Sequence, residues 1–172
     1  MTAVMNFSLY QGHELIIHSR LELLKLLKDI HKKRPTLMPG VPTLFTAFNH
    51  CKQLKKYDLT SLKACISGGA ALPVEVKKTF EAHTGCVLIE GYGLTECSPV
   101  VTANPLSGEN KAGSIGLPLP KTIVEIRDIS GRRKLLKEGE VGEICVQGPQ
   151  MMQGYLNQEK ETLELQLKSI RE

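Results

Sequence analysis

The apolar positions of this chain form short runs whose period changes along its length. Leucine and isoleucine at 23, 24, 26, 27 and 30 recur at the 3.6-residue spacing of one helix face. Just before them Ser19 and Glu22 stand three apart, a capping-box pattern. The helix should end near Lys33, because Pro35 disfavours helical backbone in the residue before it. Residues 13–18 (HELIIH) carry a short strand signal, and TLMPGVP (36–42) reads as a short strand and turn. Pro42 suits the first position of a second helix reaching about Cys51. LKACIS (62–67) is a buried-strand candidate broken by Gly68 and Gly69. Pro73 opens a helix over VEVKKTFEAHT that Gly85 closes as a left-handed cap, and CVLIE (86–90) is a further apolar strand. Strand and helix alternate through this part. That predicts an α/β fold: part of a parallel sheet flanked by helices.

After Pro99 the pattern changes. Residues 100–120 (VVTANPLSGENKAGSIGLPLP) are rich in Gly, Pro, Ser and Asn and show no helical period. TIVEIRDI (122–129) and VGEICVQGP (141–149) alternate as half-buried strands do, with GRRKLLKEGE between them. They predict a small antiparallel sheet or partial barrel. The expected division is an α/β part over 1–110 and a β-rich subdomain over 111–172, truncated at its C-terminal end. The opening MTAVMNFSLYQG lacks a polar lead-in, and ETLELQLKSIRE (161–172) is a polar helical run that closes nothing. The chain is therefore expected to be a piece of a longer one.

Composition narrows the function. Aromatics make up 5% of the chain, with no Trp, so the core is expected to rest on Leu, Val, Ile and Met. The net charge of +4 is scattered, with short clusters at HKKR (31–34) and GRRK (131–134). No basic stripe interleaved with aromatics is present, which argues against nucleic acid. The two clusters read most simply as solvated helix-end and loop charges, with anionic lipid as the other reading. Cysteines 51, 65, 86, 97 and 145 form no CxxC pair, which argues against a zinc site. Their odd number and wide spacing argue against a disulfide framework and suit reduced thiols in the cytoplasm. No apolar run is long enough to span a bilayer. The five histidines are scattered singly, and neither Ser67 nor Ser98 lies in a GxSxG elbow.

Two glycine-bearing turns hold the candidate chemistry: ISGGAA (66–71) and IEGYGLTE (89–96). Each follows a predicted strand, so both should lie at the carboxyl edge of the sheet, where open α/β proteins bind ligands. Glycine there admits a ligand close to the backbone. Tyr92 offers a flat face, Thr95 a hydroxyl for a phosphate oxygen, and Glu96 hard oxygens for Mg²⁺. Together they describe a nucleotide. Plain readings stand beside this one. SGGAA matches neither a dinucleotide fingerprint nor a P-loop, an isolated Tyr is more often a packed ring, and Thr-Glu is a common helix start.

SGGAALPVEVKKTFEAHTG (67–85) followed by EGYGLTECSPVVTANP (90–105) resembles the adenylate-forming (AMP-binding) family of acyl-CoA synthetases, nearest to the long-chain fatty acid–CoA ligases. PTLMPGVPTLFTAF (35–48), GSIGLPLP (113–120) and GEICVQGPQMMQGYLNQEKET (142–162) are similar to further stretches of that family, so the resemblance covers almost the whole chain. It implies activation of a fatty acid with ATP and Mg²⁺ to an acyl-adenylate, then acyl transfer to coenzyme A. It further implies that Gly68, Gly69, Ala70 and Ala71 line the adenosine pocket and the neighbouring acyl tunnel. Glu90 and Gly91 would present backbone to the adenine edge, Gly91 and Gly93 would make room for the base, and Tyr92 would stack on it. Thr95 would contact the α-phosphate and Glu96 would hold the magnesium, which makes these two the expected catalytic residues. The family's phosphate loop, its ribose-gripping TGD aspartate and its C-terminal domain with the adenylation lysine have no match here. The chain is thus expected to be the middle of a synthetase, inactive alone, with the remainder of that synthetase as its partner. Two other readings remain: a ligase of an aryl or amino acid, or a non-catalytic nucleotide-binding or interaction module. A fatty substrate is compatible with a membrane-peripheral location.

Overall fold

A computed structural model describes residues 2–130 and 134–169, with side chains as far as Glu164. The first three residues of the GRRK cluster, 131–133, lie outside the described residues. The chain folds as two compact units, Met1–Gly93 with Thr102–Leu117 and Leu94–Val101 with Pro118–Glu172.

The first unit begins with one turn of π-helix, Thr2–Asn6, continued by α1 (Phe7–Tyr10). Residues 13–18, expected as a strand, are irregular. The sheet ends elsewhere, and an apolar run without a neighbouring ladder cannot satisfy its backbone as a strand. Helix α2 (Leu23–Lys33) buries Leu27 and Ile30 and stops at Arg34, which adopts left-handed backbone. The expected capping box does not form. Glu22 itself takes the N-cap position, in extended conformation and without a side-chain cap bond. Burial of the apolar face sets this start, and a single local bond at Ser19 does not outweigh it.

Strand β1 (Leu37–Gly40) leads to α3 (Pro42–Asn49), which has Pro42 in its first turn and ends two residues before Cys51. Strand β2 (Ala64–Ser67), α4 (Val74–Thr84) and β3 (Val87–Gly93) follow. Gly85 caps α4 at φ +72°, the role expected of it. β1 pairs with β2, and β2 with β3, in parallel, as the alternation of elements predicts. The sheet continues through β4 (Val100–Ala103) and β5 (Leu117–Pro118) in the order β1-β2-β3-β4-β5. Both added strands come from the segment that showed no helical period. Four and two residues are too few for an alternation to show.

The core of this unit is largely leucine, as the composition argument expects, and it adds three rings. Phe45, Phe48 and Phe80 are fully buried, and Phe80 meets the other two edge-to-face at 4.9 and 5.6 Å. Few aromatics suffice, because each ring buries a large apolar area. Around them pack Leu27, Ile30, Leu62 and Leu88.

One polar device holds α4 to β3. Lys77 is buried, yet its ammonium donates to the Leu88 carbonyl and, at 3.0 Å, to Glu81 Oε1. The Leu88 amide donates to that same Glu81 oxygen at 2.8 Å. A buried charge paired and hydrogen-bonded in this way avoids the cost of an isolated one. It also fixes the strand whose end carries the second glycine turn.

The HKKR cluster is only partly a solvated run. His31 Nδ1 accepts the Asp58 amide at 3.0 Å, and Arg34 donates to Asp58 and, at 3.0 Å, to Thr60 Oγ1. The Thr60 hydroxyl and amide both donate to Asp58 Oδ1, at 2.6 and 2.9 Å. Those two bonds from Thr60, helped by Arg34, lower the Asp58 carboxyl from 3.8 to about 2. A depressed carboxylate stabilises the fold fully above its unfolded value and loses that effect as pH falls through the folded one. Asp58→Asn should therefore lower Tm at pH 7. The gap from the parent should close between pH 3.8 and about 2, as read from thermal melts across that range. A gap undiminished at pH 2 would mean that the asparagine acts by another route.

In the second unit, β6 (Ile123–Arg127) and β7 (Glu143–Gln147) pair antiparallel with Ile123 opposite Gln147. Helix α5 (Glu159–Ser169) follows. No disulfide joins the five cysteines. Among the described residues, no helix is long and apolar enough to cross a membrane, and no group of three or more His, Cys, Asp or Glu side chains could hold a metal.

Candidate functional site

In the first unit the two glycine turns lie side by side. Ser67 is in register with Glu90, so the residues leaving β2 emerge beside those ending β3 at the carboxyl edge of the sheet. A Cβ on Gly68 would stand 3.6 Å from the Gly91 carbonyl oxygen. Gly69 takes φ +84°, which an L side chain rarely adopts, and it thereby turns the chain away from the strand. Gly69, Ala70 and Ala71 are exposed along this edge. Gly91 has little room: a Cβ there would meet Ile66 Cδ1 at 3.2 Å and the Thr102 carbonyl at 3.3 Å. Tyr92 is half-buried and Gly93 exposed.

Glu90 is a buried brace. Its Oε1 accepts the Leu72 amide at 2.9 Å, which ties the end of GGAAL to β3. Its carbonyl accepts the Asn104 amide at 2.9 Å and the Asn104 side-chain amide at 3.3 Å. Asn104 is itself buried and also donates to the Ser114 carbonyl, while the Thr102 hydroxyl donates to the Ile115 carbonyl at 2.7 Å. Gly116, at φ +88°, passes so close to β4 that a Cβ would lie 2.1 Å from the Ala103 carbonyl carbon. These bonds explain why the glycine-rich GSIG stretch belongs with the turn: it is laced to the strand beside it. Ser67, fully buried at the end of β2, has an Oγ without a hydrogen-bond partner.

In the second unit, Thr95–Cys97 make a single 3₁₀ turn, not the start of a helix. The Leu94 amide donates to the Pro99 carbonyl at 2.8 Å, and the Ser98 amide to the Thr95 carbonyl at 3.2 Å. Cys97 is buried with its Sγ 3.4 Å from Met151 Sδ. Thr95 is exposed, and Glu96 is half-exposed. The Glu96 carbonyl accepts the Met152 amide at 2.8 Å, and Glu96 Oε1 accepts the Tyr155 hydroxyl at 2.7 Å. That hydroxyl, together with Glu96's own amide, holds the Glu96 carboxyl below its usual range, and the same bond pushes the Tyr155 phenol up.

Each predicted residue thus has a definite place. Gly68, Gly69, Ala70, Ala71, Glu90, Gly91, Tyr92 and Gly93 share one edge of the first unit. Thr95 and Glu96 form the turn of the second. Sequence reasoning missed Asn104 and Tyr155. Asn104 stood inside a quoted motif without a chemical cue. Tyr155 is 59 positions from Glu96, a separation that no local pattern can bridge.

Comparison with known proteins places the chain in a family. Residues 1–156 match the AMP-binding enzyme family. A long-chain-fatty-acid–CoA ligase of Bacillus subtilis is 50% identical over 162 residues, covering 94% of this chain and 29% of that protein. The chain therefore spans less than a third of this curated relative. Among solved structures, ATP-bound MatB from Rhodopseudomonas palustris superposes with a TM-score of 0.85 at 30% identity, over 92% of this chain and 31% of that one. The anthranilate CoA ligase AuaEII with anthranoyl-AMP shares the fold at a TM-score of 0.87 and 24% identity, over 93% of this chain and 31% of that one. With its glycine turns, its Thr-Glu turn and nearly its whole length inside one family match, the chain belongs to the AMP-binding enzyme family.

Proposed function

We propose that this chain is part of a longer ligase that activates a long-chain fatty acid and passes it to coenzyme A. The observation that carries this reading is the 50% identity to a long-chain-fatty-acid–CoA ligase over 94% of the chain. In the first step a fatty carboxylate attacks the α-phosphate of ATP, forming an acyl-adenylate and releasing pyrophosphate. In the second the thiol of coenzyme A displaces AMP from the acyl carbon.

The residues have parts in the first step that suit their surroundings. The exposed Gly69, Ala70 and Ala71 leave space for adenosine, and a narrow Gly91 lets backbone approach the base. Glu90 acts by bracing both turns, since its side chain and its carbonyl are taken by Leu72 and Asn104. Tyr92 presents its ring to the base. The hydroxyl of the exposed Thr95 donates to an α-phosphate oxygen, where negative charge grows as the carboxylate attacks.

Glu96 fits a magnesium ion: it is a half-exposed carboxylate with one oxygen engaged by Tyr155. Mg²⁺ takes one or two carboxylates, keeps several waters and shares the phosphates of its substrate. When bound, such an ion neutralises phosphate charge. Holding it is the task assigned to Glu96.

The test is ATP–pyrophosphate exchange by the full-length ligase with a panel of acids. Palmitate should support exchange, with benzoate and 4-coumarate at least ~10-fold weaker, since a long acyl chain buries far more apolar surface at about 25 cal/mol per Å². Exchange driven by the aryl acids and not by palmitate would overturn the fatty-acid reading. No exchange with any acid would point to a module that binds nucleotide without chemistry.

A further inference from the structure

The least expected contact in the second unit is the bond from the Tyr155 hydroxyl to Glu96 Oε1, at 2.7 Å. Both partners are held independently of it. The Tyr155 amide donates to Thr162 Oγ1 at 2.9 Å, and Thr162 in turn donates through its amide to the Gln158 carbonyl at 3.0 Å. The base of α5 thereby fixes the tyrosine backbone. On the other side, Met152 donates to the Glu96 carbonyl, Cys97 is buried against Met151, and Gln150 Nε2 donates to Thr122 Oγ1 at 2.8 Å. Segment 150–155 is thus fastened to the Thr-Glu turn through Met151 and Met152, and the phenol bonds the carboxylate directly.

We infer that Tyr155 is a positioning residue for the metal: by donating to Oε1 it holds the Glu96 carboxylate in one orientation and leaves Oε2 as the oxygen for a divalent cation. This rests on the reading of Glu96 as the magnesium ligand. The physical grounds are two. An exposed glutamate has three rotatable bonds, and freezing them on metal binding costs affinity unless they are already frozen. A carboxylate that binds a metal through one oxygen is commonly oriented by a hydrogen bond to the other, and loss of such a partner costs about 10–100-fold in metal affinity or activity. Tyr155 is 38% exposed, and Tyr155→Phe keeps the ring and removes only the hydroxyl, so the fold should survive the change.

Two measurements on the full-length ligase test it. The first is the factor by which Mn²⁺ tightens ATP binding, measured by calorimetry with no acid present, so that no turnover is needed. The second is the Mg²⁺ concentration for half-maximal exchange. In Tyr155→Phe the Mn²⁺ factor should fall about 10-fold or more, and the Mg²⁺ midpoint should rise by a similar factor. The rate at saturating Mg²⁺ and the affinity for ATP without metal should stay within about twofold, because the hydroxyl acts only through the ion. A lowered Tm with an unchanged Mn²⁺ factor and Mg²⁺ midpoint would make Tyr155 a structural fastener and overturn the inference. Glu96→Ala separates the two layers. If it abolishes the Mn²⁺ factor while Tyr155→Phe does nothing, only the role of Tyr155 fails. If Glu96→Ala leaves the factor intact, the ligand assignment fails and the inference falls with it.

Discussion

Glu96→Ala should lower fatty-acid-dependent ATP–pyrophosphate exchange in the full-length ligase by about 100- to 1,000-fold, the range seen when one preorganised electrostatic group is removed from a reacting centre. Three features of the turn make the effect specific to chemistry. The Glu96 carboxylate is half-exposed, so its loss leaves no large cavity. The turn is closed by backbone bonds from Leu94, Ser98 and Met152, none of which involves the Glu96 side chain. Cys97, which anchors the turn in the unit's interior, is untouched. Folding should therefore persist, with Tm within a few degrees of the parent. Glu96→Gln is the sharper companion. It keeps an oxygen to accept from Tyr155 but removes the negative charge a hard cation requires, so it should lose nearly as much. Normal exchange in either variant would remove Glu96 from the metal site.

Phe80→Ala should cost about 3–5 kcal/mol of stability, the usual range for deleting a fully buried aromatic side chain. Native domains are stable by only about 5–15 kcal/mol, so such a loss removes a large share of the total. The geometry explains the size. Phe80 lies on α4 and meets both core rings of α3 edge-to-face, so its removal opens a hole shared by two helices and takes away both ring pairs. The neighbouring rings cannot both fill the space without leaving their own contacts. Urea denaturation of the full-length protein would measure the loss in its first transition. Phe7, half exposed in α1, is the control, and its replacement by alanine should change stability by less than ~0.5 kcal/mol. A loss below about 1 kcal/mol for Phe80→Ala would mean that the core relaxes around the deletion, which the tight ring packing argues against.

Much of the α/β half was legible because local rules and tertiary packing agree there. Pro42 inside its helix start, Gly85 at its left-handed cap and the apolar face of α2 each depend on a few neighbouring residues. Where only long-range partners decide, the local reading failed. HELIIH has strand composition but no strand beside it. Residues 100–103 and 117–118 are too short for a pattern to show, yet they extend the sheet. Lys77 carries no local mark that sets it apart from its helix neighbours, yet it is buried against the Leu88 carbonyl.

For the candidate site the same division holds. Residue order alone brought out the two glycine turns after short strands, the hydroxyl and acid at 95 and 96, and the family to which such a set belongs. Those are properties of contiguous stretches, since a tight turn needs glycine at the residue itself and a strand end is marked by its own apolar run. Only the tertiary structure decided which turns stand side by side, that Glu90 braces while Glu96 stays accessible, and that a tyrosine 59 residues away holds the acid. The reason is physical: a hydrogen bond reads distance and angle in space, and a span of that length leaves both unspecified until the chain has folded.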